Sequence, residues 1–190
     1  MCRYPPYVTK EDIVLELVYY VAASVDGYIA KPDGGLDWLA PYEGGDEDYG
    51  YAQFYKSVDA VLMGRKTYEQ SLSFGTWPYP GKPCWVFSHG SDKNTPADVA
   101  VTTQSPVQGV SEIASRGIKR AWLVGGGALA ASFQSQGLIT EYIVTIIPVI
   151  LGDGIPLFAP SGSTDNLRLV EAKQYPDGLM QLRYLHSVVA

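Results

Sequence analysis

A chain of 190 residues, 46% apolar, 18% charged and 12% aromatic, can fold as one globular domain without a disulfide or metal staple. Its 14 Lys+Arg against 20 Asp+Glu leave a net charge of -6, which argues against a general nucleic-acid or membrane-surface binder. The charge is uneven: residues 1–56 carry 4 basic and 10 acidic side chains, whereas residues 57–190 carry 10 of each, so a polyanionic ligand belongs with the later part.

Two cysteines, Cys2 and Cys84, cannot build a zinc cluster, and one distant pair is weak support for a disulfide, so a reduced compartment is expected. The segment from Met1 to Asp12 has no apolar core of a leader peptide, and no uncharged apolar run reaches the roughly 20 residues of a membrane span. The expectation is a cytoplasmic protein whose first 12 residues form a loose arm ahead of one domain over 13–190.

Taken in chain order, Ile13 to Ala23 is almost continuously apolar and β-branched or aromatic, which predicts a strand covered on both faces. Ser24 to Gly45 is rich in glycine turns and reads as a long loop anchored by Leu36 to Leu39; a loop of that length is more often functional than idle. Asp46 to Val58 predicts a helix with Tyr51, Phe54, Tyr55 and Val58 on one face and acidic residues in its first turn. Ala60 to Met63 is a short strand that runs into a helix opened by Gly64-Arg65-Lys66-Thr67. Cys84 to Ser88 and Val99 to Thr103 are further strands. Ser105-Pro106 supplies an N-cap and first helical position, with Val107, Val110, Ile113 and Ala114 inward and Gly117 as the stop. Arg120 to Val124 is a strand that delivers Gly125-Gly126-Gly127 to a helix ending at Gly137. Tyr142 to Leu151 is a strong strand in which Pro148 implies a bulge or an edge position. Leu167 to Tyr175 and Leu179 to Val188 flank the hairpin turn Pro176-Asp177-Gly178. Alternating strands and helices closed by a hairpin predict a three-layer α/β domain: a mostly parallel twisted sheet with a C-terminal antiparallel hairpin.

The sharpest chemical signal is Val124-Gly125-Gly126-Gly127-Ala128-Leu129-Ala130. Backbone N–H groups free of side chains at a helix start make a phosphate cradle. The spacing satisfies G-x-G-x-x-A, yet it falls late in the chain and no acidic residue ends the next strand about 20 residues on, as ribose recognition requires. A second junction, Gly64-Arg65-Lys66-Thr67, adds two cations and a hydroxyl, and Ser88 at a strand end adds another hydroxyl. Together they read as two halves of one dinucleotide site. His89 and His186 are far apart, with His186 alternating in a strand as a structural residue does, and Asp46-Glu47-Asp48 fits a helix start better than a cation site. No G-x-S-x-G elbow, P-loop or zinc-deaminase pair occurs, which demotes hydrolase, NTPase and deaminase chemistry.

Five segments in order then become recognisable: Val21 to Ala30 with its Ser24-Val25-Asp26-Gly27, Val61 to Glu69, Trp85 to Ser88, the Gly125 to Ala128 turn, and Pro148 to Phe158. The chain resembles the dihydrofolate reductase-like superfamily over about residues 13 to 188. Within it, the likeness is to the branch of the C-terminal reductase domain of the riboflavin-biosynthesis deaminase–reductase, here without a deaminase half. The resemblance implies a mostly parallel eight-stranded sheet and NADPH as cofactor. It places Ala22 and Ala23 against the nicotinamide, and Arg65, Thr67 and Ser88, beside Gly64, on the phosphates of the adenosine half. It places Gly126, Gly127 and Ala128, after Gly125, on the pyrophosphate. It also implies dimers, and hydride transfer to a pyrimidine or pterin-like heterocycle of the 5-amino-6-(5-phosphoribosylamino)uracil type. Dihydrofolate reduction proper and NADPH binding without turnover are the alternatives. The acidic residue that dihydrofolate reductases carry on the helix after the first long loop has no clean match, since only Asp46, Glu47 or Asp48 stands near it. Asp26 is the polar residue expected nearest the chemistry, with a simple turn as its competing role. Metal, nucleic acid and membrane are not expected; a homodimer is, because Tyr142 to Leu151 and the final hairpin carry more apolar surface than one solvated sheet face needs.

Overall fold

The computed structural model describes residues 15–90 and 95–187. Among the described residues ten strands and four α-helices follow in the order β1 (Glu16–Ser24), β2 (Tyr28–Ala30), α1 (Tyr51–Ser57), β3 (Ala60–Gly64), α2 (Arg65–Ser73), β4 (Cys84–Phe87), β5 (Val99–Thr102) and α3 (Pro106–Ser115). After them come β6 (Arg120–Gly125), α4 (Gly127–Gln134), β7 (Glu141–Ile147), β8 (Ile155–Pro156), β9 (Leu167–Gln174) and β10 (Met180–His186). Eight strands form one sheet in the order β5-β4-β3-β6-β1-β7-β10-β9, and β2 pairs with β8 in a separate two-stranded ribbon. From β5 to β7 every neighbouring pair is parallel; β10 runs antiparallel to both β7 and β9. This is the α/β architecture expected, closed by the expected hairpin.

The period of two along the buried strands builds two cores. Leu17 and Tyr19 of β1, Leu62 of β3 and Leu123 of β6 pack with Val110 and Ile113 of α3 and Phe133 of α4. The alternate residues Val18, Val61, Met63 and Trp122 pack with Phe54 and Val58 on α1 and Tyr68 on α2. The sheet is therefore covered by α3 and α4 on one face and by α1 and α2 on the other, which is why β1 and β6 read as unbroken apolar runs. The start of α3 carries the expected cap: Ser105 Oγ accepts from Gln108 N, and the Gln108 side chain accepts from Ser105 N.

The expected arm over 1–12, Ile13 and Val14 of the first predicted strand and Val188 of the last lie outside the described residues. Three larger features differ from the sequence reading. The predicted helix over Asp46–Val58 begins only at Tyr51, because Asp48 accepts from Gly50 N at 2.9 Å and Ala52 N at 3.0 Å and so fastens the turn ahead of it. The predicted long loop holds β2 and a 3-10 helix over Asp37–Tyr42 that buries Trp38. The predicted strand Tyr142–Leu151 ends at Ile147; Pro148 terminates it, and the strand is interior, between β1 and β10, not at an edge.

Beyond α3 and α4 the described residues cover the sheet thinly. Tyr142, Val144 and Ile146 of β7, Leu182 and Tyr184 of β10 and Leu167 of β9 line an open concavity of about 490 Å³, completed by Leu157, Phe158, Asp165 and Asn166. Leu169 on β9 is 51% exposed. At the opposite end of the strands from Gly64 and Gly125, Glu141 is buried between Arg120 Nη2 at 2.7 Å and the Nε of Arg183.

Candidate dinucleotide site

The chain crosses from β3 through α2 to β4 on one side, and from β6 through α4 toward β7 on the other. Since β3 and β6 are neighbours, the helices that leave them diverge and open a crevice at the carboxyl ends of the strands. Ligands of open α/β sheets bind in such a crevice. Both glycine junctions of the sequence meet there: a methyl group built on Gly64 would lie 3.9 Å from the Gly125 carbonyl oxygen and 4.0 Å from the Gly126 nitrogen.

The three glycines of the turn have three different reasons to be glycine. Gly125 has φ +148, a conformation side chains rarely adopt, and its peptide to Gly126 is cis. Gly127 is pressed by a neighbouring segment, because a Cβ there would come within 2.2 Å of the Pro156 carbonyl oxygen. Gly126 is different. Its φ is -90, open to any residue, and the nearest atom to a Cβ there would be Thr67 Oγ1 at 3.7 Å. Nothing in the protein demands glycine at position 126, so its backbone lies bare at the start of α4 beside the Thr67 hydroxyl, as a phosphate cradle requires. Ala128, exposed in the first turn of α4, continues the same edge.

Arg65 opens α2 directly after Gly64, and its Nε donates to Ser88 Oγ at 3.3 Å across the ends of β3 and β4. Glu69 stands one turn along at 3.9 Å and the Tyr68 ring lies below the guanidinium. Lys66 is exposed. Gly64 at the end of β3, Arg65 and Thr67 on α2, Ser88 after β4, Gly125 at the end of β6 and Gly126 to Ala128 at the start of α4 are therefore drawn together at the carboxyl ends of neighbouring strands, with a cation at the α2 side and glycine backbone at the α4 side.

The other end of the crevice lies at the carboxyl end of β1. Ala23 is fully buried, backbone included; Ala22 is half-buried and packs in a cluster with Trp38, Ile147, Tyr175 and Leu179. Trp38 was not anticipated as a site residue. It is buried, and its indole Nε1, like the Tyr175 hydroxyl of the same cluster, has no hydrogen-bond partner among the described residues. Its only trace in the sequence is an aromatic residue inside a polar glycine-rich loop.

Asp26 lies in the turn between β1 and β2, at the carboxyl end of β1. Its Oδ1 accepts from Leu151 N at 3.1 Å and its Oδ2 from Gly152 N at 2.7 Å, and the carboxyl is held below the ordinary carboxylate value by the Ser24 hydroxyl and these two N–H groups. A carboxylate kept ionised in this way is a poor proton donor. Of the remaining candidates, His89 is exposed at the end of β4, and His186 lies 3.6 Å from Asp165, whose other oxygen accepts from the Tyr142 hydroxyl. Cys84 is a free, buried thiol. Among the described residues no group of acidic, histidine and cysteine side chains could hold a metal ion, and no helix is long and apolar enough to cross a membrane.

The RibD C-terminal domain family model matches residues 16–181, which takes in every element from β1 into β10. The chain belongs to that family. Among relatives, it is 37% identical to the uncharacterized protein YwjB of Bacillus subtilis (strain 168) over 171 residues, covering 90% of this chain and 97% of YwjB. It is similar at 29% identity to YyaP of the same organism, with 90% and 93% coverage. The fold matches a crystal structure of a putative riboflavin biosynthesis protein from Shewanella sp. PV-4, with TM-score 0.84, 29% identity, and coverage of 92% of this chain and 100% of that one. The bifunctional diaminohydroxyphosphoribosylaminopyrimidine deaminase/5-amino-6-(5-phosphoribosylamino)uracil reductase of Thermotoga maritima shares the fold at TM-score 0.72 and 14% identity. Its alignment covers 91% of this chain and 57% of the Thermotoga chain. This RibD C-terminal domain thus covers 93% or more of YwjB, YyaP and the Shewanella protein.

Proposed function

We propose that this RibD C-terminal domain is an NADPH-dependent reductase of a pyrimidine or pterin-like heterocycle. The observation that carries the reading is the bare backbone of Gly126 beside Thr67, at the switch point between β3 and β6, where no protein contact explains the glycine. A dinucleotide suits the crevice better than a single phosphate, because bare N–H groups lie at the α4 end and Arg65 with Ser88 at the α2 end.

In this reading Gly126, Gly127 and Ala128 offer N–H groups to the pyrophosphate, and Gly64 leaves room between the two junctions. Arg65 and Ser88 take the phosphate on the adenosine ribose, Thr67 adds its hydroxyl to the phosphates beside Gly126, and Ala22 and the buried Ala23 border the nicotinamide. When bound, the reduced cofactor supplies a hydride; the chain's own part is to hold and orient the two reactants. We assign Trp38 as a donor to the heterocycle, since an unpaired indole N–H in the cluster that packs on Ala22 would be satisfied by a ring nitrogen or carbonyl acceptor. The names of the Shewanella and Thermotoga structures support a pyrimidine of the riboflavin pathway as the substrate class.

Fluorescence titration with NADPH and NADH tests the cofactor, and loss of NADPH absorbance with 5-amino-6-(5-phosphoribosylamino)uracil tests the substrate. Micromolar NADPH binding with turnover supports the proposal. NADPH oxidation by dihydrofolate alone transfers it to that substrate, and binding without turnover by either reduces the protein to an NADPH-binding one.

A further inference from the structure

The segment from Val149 to Ala159 is fastened along its whole length. Val25 N donates to the Val149 carbonyl at 2.8 Å, and Leu151 N and Gly152 N both donate to the Asp26 carboxylate. Next, β8 pairs with β2, and Leu157 N donates to the Gly27 carbonyl at 2.8 Å while the Leu157 carbonyl accepts from the Tyr19 hydroxyl at 2.9 Å. At the far end the Pro156 carbonyl rests on Gly127, and Ala159 N donates to the Gly127 carbonyl at 3.3 Å. One strap therefore joins the turn that ends β1 to the first residue of α4, the two ends of the crevice.

We propose that Asp26 is a positioning residue: its carboxylate pins the 149–159 strap to the β1–β2 turn, and the strap in turn holds Gly127 and the start of α4 where a pyrophosphate is bound. The inference rests on the proposed cofactor site and deepens it. A carboxylate suits the task because it accepts two backbone N–H groups at once, on separate oxygens, which an amide side chain cannot do. Charge-assisted bonds of this kind are about twice as strong as neutral ones. Because Asp26 is exposed, its contribution lies in these two bonds and not in packing. The backbone N–H groups of Leu151 and Gly152 sit on a loop whose Ile150 is 72% exposed while Val149 and Leu151 are half-buried against the Trp38 cluster, so the two bonds to Asp26 add to a partial apolar anchor at this end. At the other end, contact with Gly127 is backbone against backbone, so a shift of the strap is passed to the α4 start without a side chain to absorb it.

The test is Asp26→Asn, with Asp26→Ala as a second variant, read by hydrogen exchange of the native chain and by NADPH titration. Exchange should quicken about ten- to a hundredfold at Leu151 and Gly152, as expected for the loss of a bond to a charged group, and less at Leu157 and Ala159. Amides of β6 and β7 should keep their wild-type protection, and the NADPH dissociation constant should rise about tenfold with no contact to the cofactor removed. Unchanged exchange at Leu151 and Gly152 would overturn the pin. Faster exchange with wild-type NADPH affinity would overturn the coupling to α4 while leaving the cofactor site intact. A wild-type chain that binds no NADPH would overturn the functional reading and the coupling with it, and the exchange result would still decide whether Asp26 pins the strap.

Discussion

The Arg65 guanidinium donates to the Ser88 hydroxyl at 3.3 Å and so bridges the ends of β3 and β4 at the mouth of α2. The bond holds the planar fork at a helix start, where N–H groups already favour an anion. NADPH differs from NADH by one ribose phosphate, so this cation is the group to discriminate them. Arg65→Ala should weaken NADPH binding about ten- to a hundredfold, from the loss of about 1.5–3 kcal/mol per charged hydrogen bond, and barely change NADH binding. Lys66→Ala should have a smaller effect, since Lys66 is exposed. Paired titrations with both cofactors check this; equal losses would assign Arg65 to the shared pyrophosphate or to the fold.

Gly126 and Gly127 should separate ligand from fold. Gly126→Val places its side chain in open space at a permitted φ, so the variant should fold with wild-type stability and lose NADPH binding. Gly127→Ala forces a methyl against the Pro156 carbonyl and should destabilise the chain by about 1–3 kcal/mol, the usual penalty of overpacking. Thermal denaturation and NADPH titration on both variants check the pair. Normal affinity in folded Gly126→Val would remove the phosphate cradle.

The thinly covered face of β7, β10 and β9 is where a second copy is expected to dock. Leu169 and Leu167 are 51% and 41% exposed, and the residues that line the concavity beside them are mainly apolar. A two-fold dimer, the commonest closed symmetry, would cover the patch. Leu169→Lys should convert a dimer into a monomer without unfolding it, as read by light scattering. A wild-type mass of 20.7 kDa at micromolar concentration would exclude the dimer.

Stability should fall at alkaline pH. Burial pushes the Cys84 thiol from 9.0 up to about 12, and the Tyr79 and Tyr20 hydroxyls from 10.0 up to about 12. Below the unfolded values both states keep their protons and the stabilisation is complete. Between about pH 9 and 12 only the unfolded chain ionises, so each step upward favours unfolding. The urea midpoint should therefore decline steadily above about pH 9, and Cys84→Ala should decline less steeply. A midpoint that is flat across this range would contradict the burial of these groups.

What the sequence determined by itself is what local periodicity and turn chemistry can encode. The apolar runs of β1 and β6, the Ser105–Gln108 cap of α3 and the hairpin turn at Pro176-Asp177-Gly178 each rest on residues a few positions apart, and each is present as read. The two glycine junctions were legible for the same reason, since a strand, its glycines and its helix are contiguous. Tertiary structure alone decided how they act. Gly125, Gly126 and Gly127 look equivalent in sequence, yet a positive φ, open space and the Pro156 carbonyl give them separate roles. Asp26 reads as a polar residue near the chemistry; its partners are 125 and 126 positions away, on a loop whose place depends on the whole sheet having closed. The β2–β8 ribbon escapes periodicity because strands of three and two residues hold no period, and only closure of the chain between them creates the ladder. Contacts of that range are set by topology, which no local pattern records.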